Sequence, residues 1–137
     1  MKPYRVLVTG SRDWDDVDRI RHHLTLTWLQ HPGPFVVVHG ACPTGADDIA
    51  SDWVANMQEA EMGDVREEAH RAENFGPWPE CGPFRNKHMV NLGADLCLAF
   101  IGPCTSPRCH RPRPHPSHGA SHCARLAQQA GIPARRV

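Results

Sequence analysis

YRVLVTGSR, residues 4–12, decides the reading of this chain. Val6, Leu7 and Val8 form an unbroken apolar run, the pattern of a strand covered on both faces. The run stops at Gly10 and at once presents a hydroxyl, Ser11, and a guanidinium, Arg12. A glycine there serves either a plain turn or a site that holds an anionic ligand at the carboxyl end of a strand.

Outward from that strand, the same alternation recurs. Asp13 is positioned to cap a helix, with Asp16 three residues on, and that helix carries Val17, Ile20, Leu24 and Trp28 on one face. Phe35 to Val38 is a second all-apolar strand, closing at His39-Gly40. A helix with Ile49, Trp53 and Met57 inward follows and stops at Gly63. Val65 to His70 is expected as a short third strand, Ala72 to Pro83 as a loop, and Phe84 to Leu92 as a helix ending at Gly93. Ala94 to Ile101 is an apolar strand, residues 102–117 a Pro/His/Arg/Cys-rich insertion, and Gly119 to Ala130 a last helix before a terminal edge strand. The order βαβαβαβαβ predicts an α/β fold, a Rossmann-like three-layer sandwich with a mostly parallel sheet of about five strands. The 137 residues are expected to form a single domain, 1–137.

Composition narrows the function classes. Lys+Arg and Asp+Glu are both 15, so the formal charge is zero and a general nucleic-acid binder is disfavoured. No apolar run reaches about 18 residues, which argues against a membrane span. The start MKPYRVLV lacks a signal-peptide layout, so the cytoplasm is the expected compartment. Six cysteines there are expected as thiols, with Cys42, Cys97 and Cys123 in or beside core elements.

Three strand-to-helix junctions share glycine and a hydroxyl: Thr9-Gly-Ser-Arg12, His39-Gly-Ala-Cys-Pro-Thr-Gly-Ala-Asp47 and Ser117-His-Gly-Ala-Ser-His122. Helix starts carry free N–H groups and a partial positive charge, so they suit phosphates. Ordinary capped turns favour the same residues, but three at one sheet edge favour a nucleotide-sized site. Neither G-x-G-x-x-G nor G-x-x-x-x-G-K-[ST] occurs at these junctions, which disfavours a standard dinucleotide fold and a P-loop. Asp47 reads either as a helix-start acid or as a contact to a ribose or base. Trp14 and Trp78 stand where either could stack on a base.

The stretches VTGSRDW, VVVHGACPTGADDIA, GPFRNKHMVNLGADLCLAF and SHGASHCARLAQQAGIP resemble, in order, the SLOG superfamily, and more closely its YspA/YpsA-like branch of actinobacteria and their phages. The resemblance implies a nucleotide or nucleotide-derived ligand, one related to NAD or ADP-ribose included, held by a sensor or sequestering module. It implies contacts from Gly10, Ser11 and Arg12, from Gly40, Thr44, Gly45 and Asp47, from Arg85 and Asn86, and from Gly119 and Ser121. Lonely Guy phosphoribohydrolases of this superfamily carry PGG-x-GT-x-x-E at a loop comparable to the last one. Here His122 or Cys123 stands in place of the glutamate that would stabilise a ribosyl cation. Binding is therefore favoured over hydrolysis. N-glycosidic or phosphoribosyl cleavage through Asp47 is the alternative, and nucleic-acid binding through Arg108, Arg111 and Arg113 a second one. Related folds often pair through helix faces, which admits a homo-oligomer.

Within the insertion, Cys104-x4-Cys109-x5-His115-x2-His118 offers two thiolates and two imidazoles, a common tetrahedral zinc set. The contrary reading is a polar surface loop with two free thiols. No obligatory organic cofactor is evident.

Overall fold

The computed structural model of the chain describes residues 2–137. Its strands are β1 (Tyr4–Gly10), β2 (Phe35–His39), β3 (Val65–Ala69), β4 (Leu96–Phe100) and β5 (Ala134–Arg136). They alternate with helices α1 (Val17–Gln30), α2 (Gly45–Glu59), α3 (Cys81–Leu92) and α4 (His118–Gln129). The five strands form one parallel sheet in the order β3-β2-β1-β4-β5. The α/β, Rossmann-like layout expected from the apolar runs is the one observed.

Both faces of the sheet are covered, which is why its central strands show no polar alternation. Val6, Val8, Val37, Leu98 and Phe100 bury against Ile20 and Leu24 of α1 and Ala50, Trp53 and Val54 of α2. Leu7, Val36, Val38 and Cys97 bury against Met89 and Val90 of α3 and Cys123 and Ala127 of α4. Each large apolar side chain so buried stabilises the fold by about 1.5–3 kcal/mol. Trp53 also satisfies its indole N–H, which donates to the Thr25 hydroxyl at 3.1 Å.

Three helix starts differ from expectation. Asp16, not Asp13, caps α1: its carboxylate accepts from the Arg19 N–H at 3.1 Å. As a result Val17 sits exposed in the first turn, while Thr27 takes an inward place and donates its hydroxyl to the His23 carbonyl at 2.7 Å. Helix α3 begins at Cys81 rather than Phe84, with Gly82 and Pro83 inside its first turn. Proline is tolerated there because the first N–H groups of a helix have no partner within the helix. Helix α4 begins at His118, one residue early. Cys42 is a correction of another kind: it lies half-buried in the β2–α2 loop, not in the core.

The strand order fixes where a ligand can sit. From β1 the chain winds outward through β2 to β3, then returns to place β4 on the other side of β1. A crevice opens at such a switch point, beyond the carboxyl ends of the strands. No helix is long and apolar enough to cross a membrane.

Candidate functional site

A cleft of about 860 Å³ opens at that carboxyl edge, within the roughly 300–1,000 Å³ of small-ligand sites. Its floor is Gly10 and Gly40, at the ends of β1 and β2. The 72–83 segment and the first turns of α3 form one wall, and residues 103–107 with the start of α4 form the other.

The three helix starts expected to converge behave differently. The start of α2 is filled by the protein itself. The Ala46 N–H donates to the Ser11 carbonyl at 3.2 Å, and the Cys42 N–H donates to Asp47 Oδ2 at 3.2 Å. Gly45 has φ +74°, and a Cβ there would collide with the backbone of Ser11 and Arg12, so this glycine lets two loops pack together. Thr44 and Gly45 do not line the cleft. Ser11 is buried, and its hydroxyl accepts from the Gly102 N–H at 2.7 Å, tying the β1 loop to the end of β4.

The start of α4 is open. No side chain caps it, and its first helical hydrogen bond, from the Ser121 N–H to the Ser117 carbonyl, is 3.2 Å long. His118, Gly119 and Ala120 line the cleft, and nothing would meet a Cβ placed on Gly119. Ser121 lies outside the lining, with its hydroxyl buried and unpartnered among the described residues.

Two guanidinium groups line the same cleft. Arg85 lies against Gly40, donating Nη1 to the Gly40 carbonyl at 2.6 Å and Nε to Asn86 Oδ1 at 2.9 Å. Among the described residues its Nη2 has no partner. Asn86 is buried and holds the α4 side through Nδ2, 3.4 Å from the Gly119 carbonyl and 3.3 Å from His122 Nδ1. Arg12 stands at the mouth, its guanidinium 5.2 Å from the centre of the Trp78 ring. Trp78 is 55% exposed. Trp14 instead packs edge-on against Phe100, 5.7 Å between centroids, outside the cleft.

Asp47 is the buried carboxyl of the cleft. Burial pushes it above the ordinary carboxylate range, against the opposing pull of His39, the Cys42 N–H and Arg85. His39 is buried beneath it with both ring nitrogens engaged. Nδ1 accepts from the Ala41 N–H at 2.9 Å, and Nε2 meets the Glu67 carboxylate. Neither residue at the Lonely Guy glutamate position supplies a carboxylate or a thiolate. Burial lowers His122, favouring its neutral form, and pushes the Cys123 thiol up to about 11.

Sequence reasoning missed Asp13 and Glu73 as carboxylates at the mouth, and Cys42 as a lining thiol. Only their place after a strand end or in a Pro/Gly-rich loop could have signalled them. Cys104, Cys109, His115 and His118, proposed as one set from their spacing, do come together as a cluster that could hold a metal ion.

A profile of the family described as "YspA, cpYpsA-related SLOG family" matches residues 4–72, which carry β1 through β3 together with Gly10, Arg12, Gly40 and Asp47. The chain is also 42% identical over 130 residues to the Gene 61 protein of Mycobacterium phage D29, covering 94% of this chain and 92% of that protein. No solved structure matches it.

Proposed function

The chain belongs to the YspA, cpYpsA-related SLOG family, and on that premise we propose that the cleft binds a nucleotide or nucleotide-derived ligand of the NAD or ADP-ribose kind, as a sensor or sequestering module. The supporting observation is the grouping of the open α4 start, Arg85 and the Arg12–Trp78 pair around one cleft. Phosphate oxygens meet the free N–H groups at Gly119 and the unpaired Nη2 of Arg85. A base stacks on the exposed Trp78 ring.

Calorimetric titration of the full chain with AMP, ADP-ribose and NAD tests this reading. Saturable binding of at least one of them is expected, weakened about 10–100-fold in Arg85→Ala, since a hydrogen bond to a charged group contributes about 1.5–3 kcal/mol. No saturable binding of any of the three, or binding that ignores Arg85→Ala, overturns it.

One observation favours a second reading, hydrolysis. A buried carboxyl held above its usual range, such as Asp47, is suited to protonate a departing base. Chromatography of the same incubations decides. Free base that disappears in Asp47→Asn establishes an N-glycosidic hydrolase, and intact ligand leaves a binding protein.

A further inference from the structure

The wall of the cleft formed by residues 103–107 belongs to a 16-residue loop (102–117) with almost no apolar side chain except proline. Loops of that length without their own secondary structure need something to hold them. Backbone bonds close the loop's base: Pro103 and Pro116 pair antiparallel, the Cys104 N–H donates to the His115 carbonyl at 2.7 Å, and the Ser117 N–H to the Gly102 carbonyl at 2.9 Å. Arg113 adds a guanidinium bond to the Cys104 carbonyl at 2.7 Å. Cys104 and His115 thus face each other across a fixed base, and His118 is fixed by the first turn of α4.

Four donor atoms converge on this frame. One each from Cys104, Cys109, His115 and His118 lie within 4.8 Å of one another. Cys109 Sγ is 3.3 Å from Nε2 of both His115 and His118, and those two nitrogens are 3.3 Å apart. With Zn–S near 2.3 Å and Zn–N near 2.0 Å, a tetrahedron has N···N edges of about 3.3 Å and S···N edges of about 3.5 Å. The contacts have the lengths of ligand-to-ligand edges around one small ion.

A second feature orients a ligand. His115 Nδ1 lies 2.8 Å from the Pro112 carbonyl, which can only accept. The neutral ring therefore carries its proton on Nδ1 and aims the Nε2 lone pair into the cluster, the usual arrangement behind a metal-bound histidine. Cys104 is buried, and its thiol has no hydrogen bond among the described residues. A hydrogen-bonded cluster gives that sulfur no task; a cation gives all four atoms one.

We propose that Cys104, Cys109, His115 and His118 bind one Zn²⁺ in a closed tetrahedral site that pins the 102–117 loop to the first turn of α4 and so builds this wall of the cleft. Two thiolates and two imidazoles match the softness and geometry of zinc, and four protein ligands leave no open position for catalysis. Loading converts two thiols to thiolates and releases two protons, so affinity rises with pH. The site stands independently of the nucleotide reading, since metal content is measured with no nucleotide present.

The test uses the full chain in reducing buffer. Elemental analysis is expected to give one zinc per chain, and X-ray absorption at the zinc edge a shell of two sulfurs and two nitrogens. Cobalt substitution is expected to give the intense tetrahedral bands of a thiolate site, with affinity falling at least 100-fold in Cys109→Ser. Sub-stoichiometric metal, an oxygen-dominated shell or an undiminished site in a Cys104→Ser/Cys109→Ser double variant overturns the proposal. If the variants do not fold, the absorption shell of the wild-type protein decides alone. Pinning is read by trypsin, because Arg111 and Arg113 precede proline and only the Arg108–Cys109 bond of the loop is cleavable. Cleavage there should speed up at least tenfold after chelation, and equal rates overturn the pinning.

Discussion

Gly40 lacks a side chain where Arg85 needs the space. A Cβ at Gly40 would collide with the Arg85 guanidinium, whereas the backbone there is not in the left-handed region. The obstacle is the far end of a flexible side chain, so an alanine is accommodated by pushing that guanidinium aside. Gly40→Ala should therefore leave thermal stability nearly unchanged while weakening ADP-ribose or AMP binding by about tenfold or more, the loss expected for a charge-assisted hydrogen bond. Melting curves and calorimetric titrations on the same preparation read the two effects separately. A large fall in stability with intact binding would show that Arg85 holds the fold rather than the ligand. Ser11 was readable from sequence only as a hydroxyl beside a glycine. Its partner Gly102 is 91 residues away, so the bond between them follows from strand order and from nothing local.

At the scale of elements, the helix α1 start exchanges the roles that the sequence suggests for two aspartates. The sequence reads Asp13 as the cap and Asp16 as its partner three residues on. Asp16 accepts the Arg19 N–H, whereas Asp13 lies at the mouth of the cleft. Asp16→Ala should cost about 1 kcal/mol, read as a fall in melting temperature of about 4 °C. Asp13→Ala should cost nothing measurable, and an equal loss in both would restore Asp13 as a cap. The strands were legible because burial on both faces writes itself into consecutive residues, as in Val6–Leu7–Val8 and Phe35–Val36–Val37–Val38. The start of α3 was not, because Gly82 and Pro83 are turn residues in most contexts and helix residues only within a first turn. The Cys/His set was legible for the opposite reason: three donors lie within one short loop and the fourth, His118, opens the helix that follows it, so their spacing alone brings them together.

Across the whole molecule, one ion pair ties strands that the sheet holds apart. Arg5 on β1 reaches over β2 to Glu68 on β3, donating Nη1 to Oε1 at 3.0 Å and Nη2 to Oε2 at 2.8 Å. Its Nε donates to the Gly93 carbonyl at 2.9 Å, and its backbone N–H to Asp95 Oδ2 at 2.8 Å, so the same residue also holds the lead-in to β4. The guanidinium bond pulls the Glu68 carboxyl from 4.5 down to about 2, with a further hydrogen bond from His70. A carboxyl lowered by folding stabilises the native state above its unfolded value and loses that contribution as pH falls through its folded value. The bridge is partly open to water, so its net contribution is about 1 kcal/mol after screening. Glu68→Gln keeps the shape and removes the charge. At neutral pH the variant should be less stable by about that amount in urea unfolding. The gap should narrow as pH falls below about 4.5 and close only below about 2, once the wild-type carboxyl is itself mostly protonated. Other carboxyls titrate in the same range, but they do so in both proteins, so the difference between the two curves isolates this pair. A gap that stays constant through the window would mean that Glu68 stabilises the sheet by packing alone, and that Arg5 is held by its bonds to Gly93 and Asp95 instead.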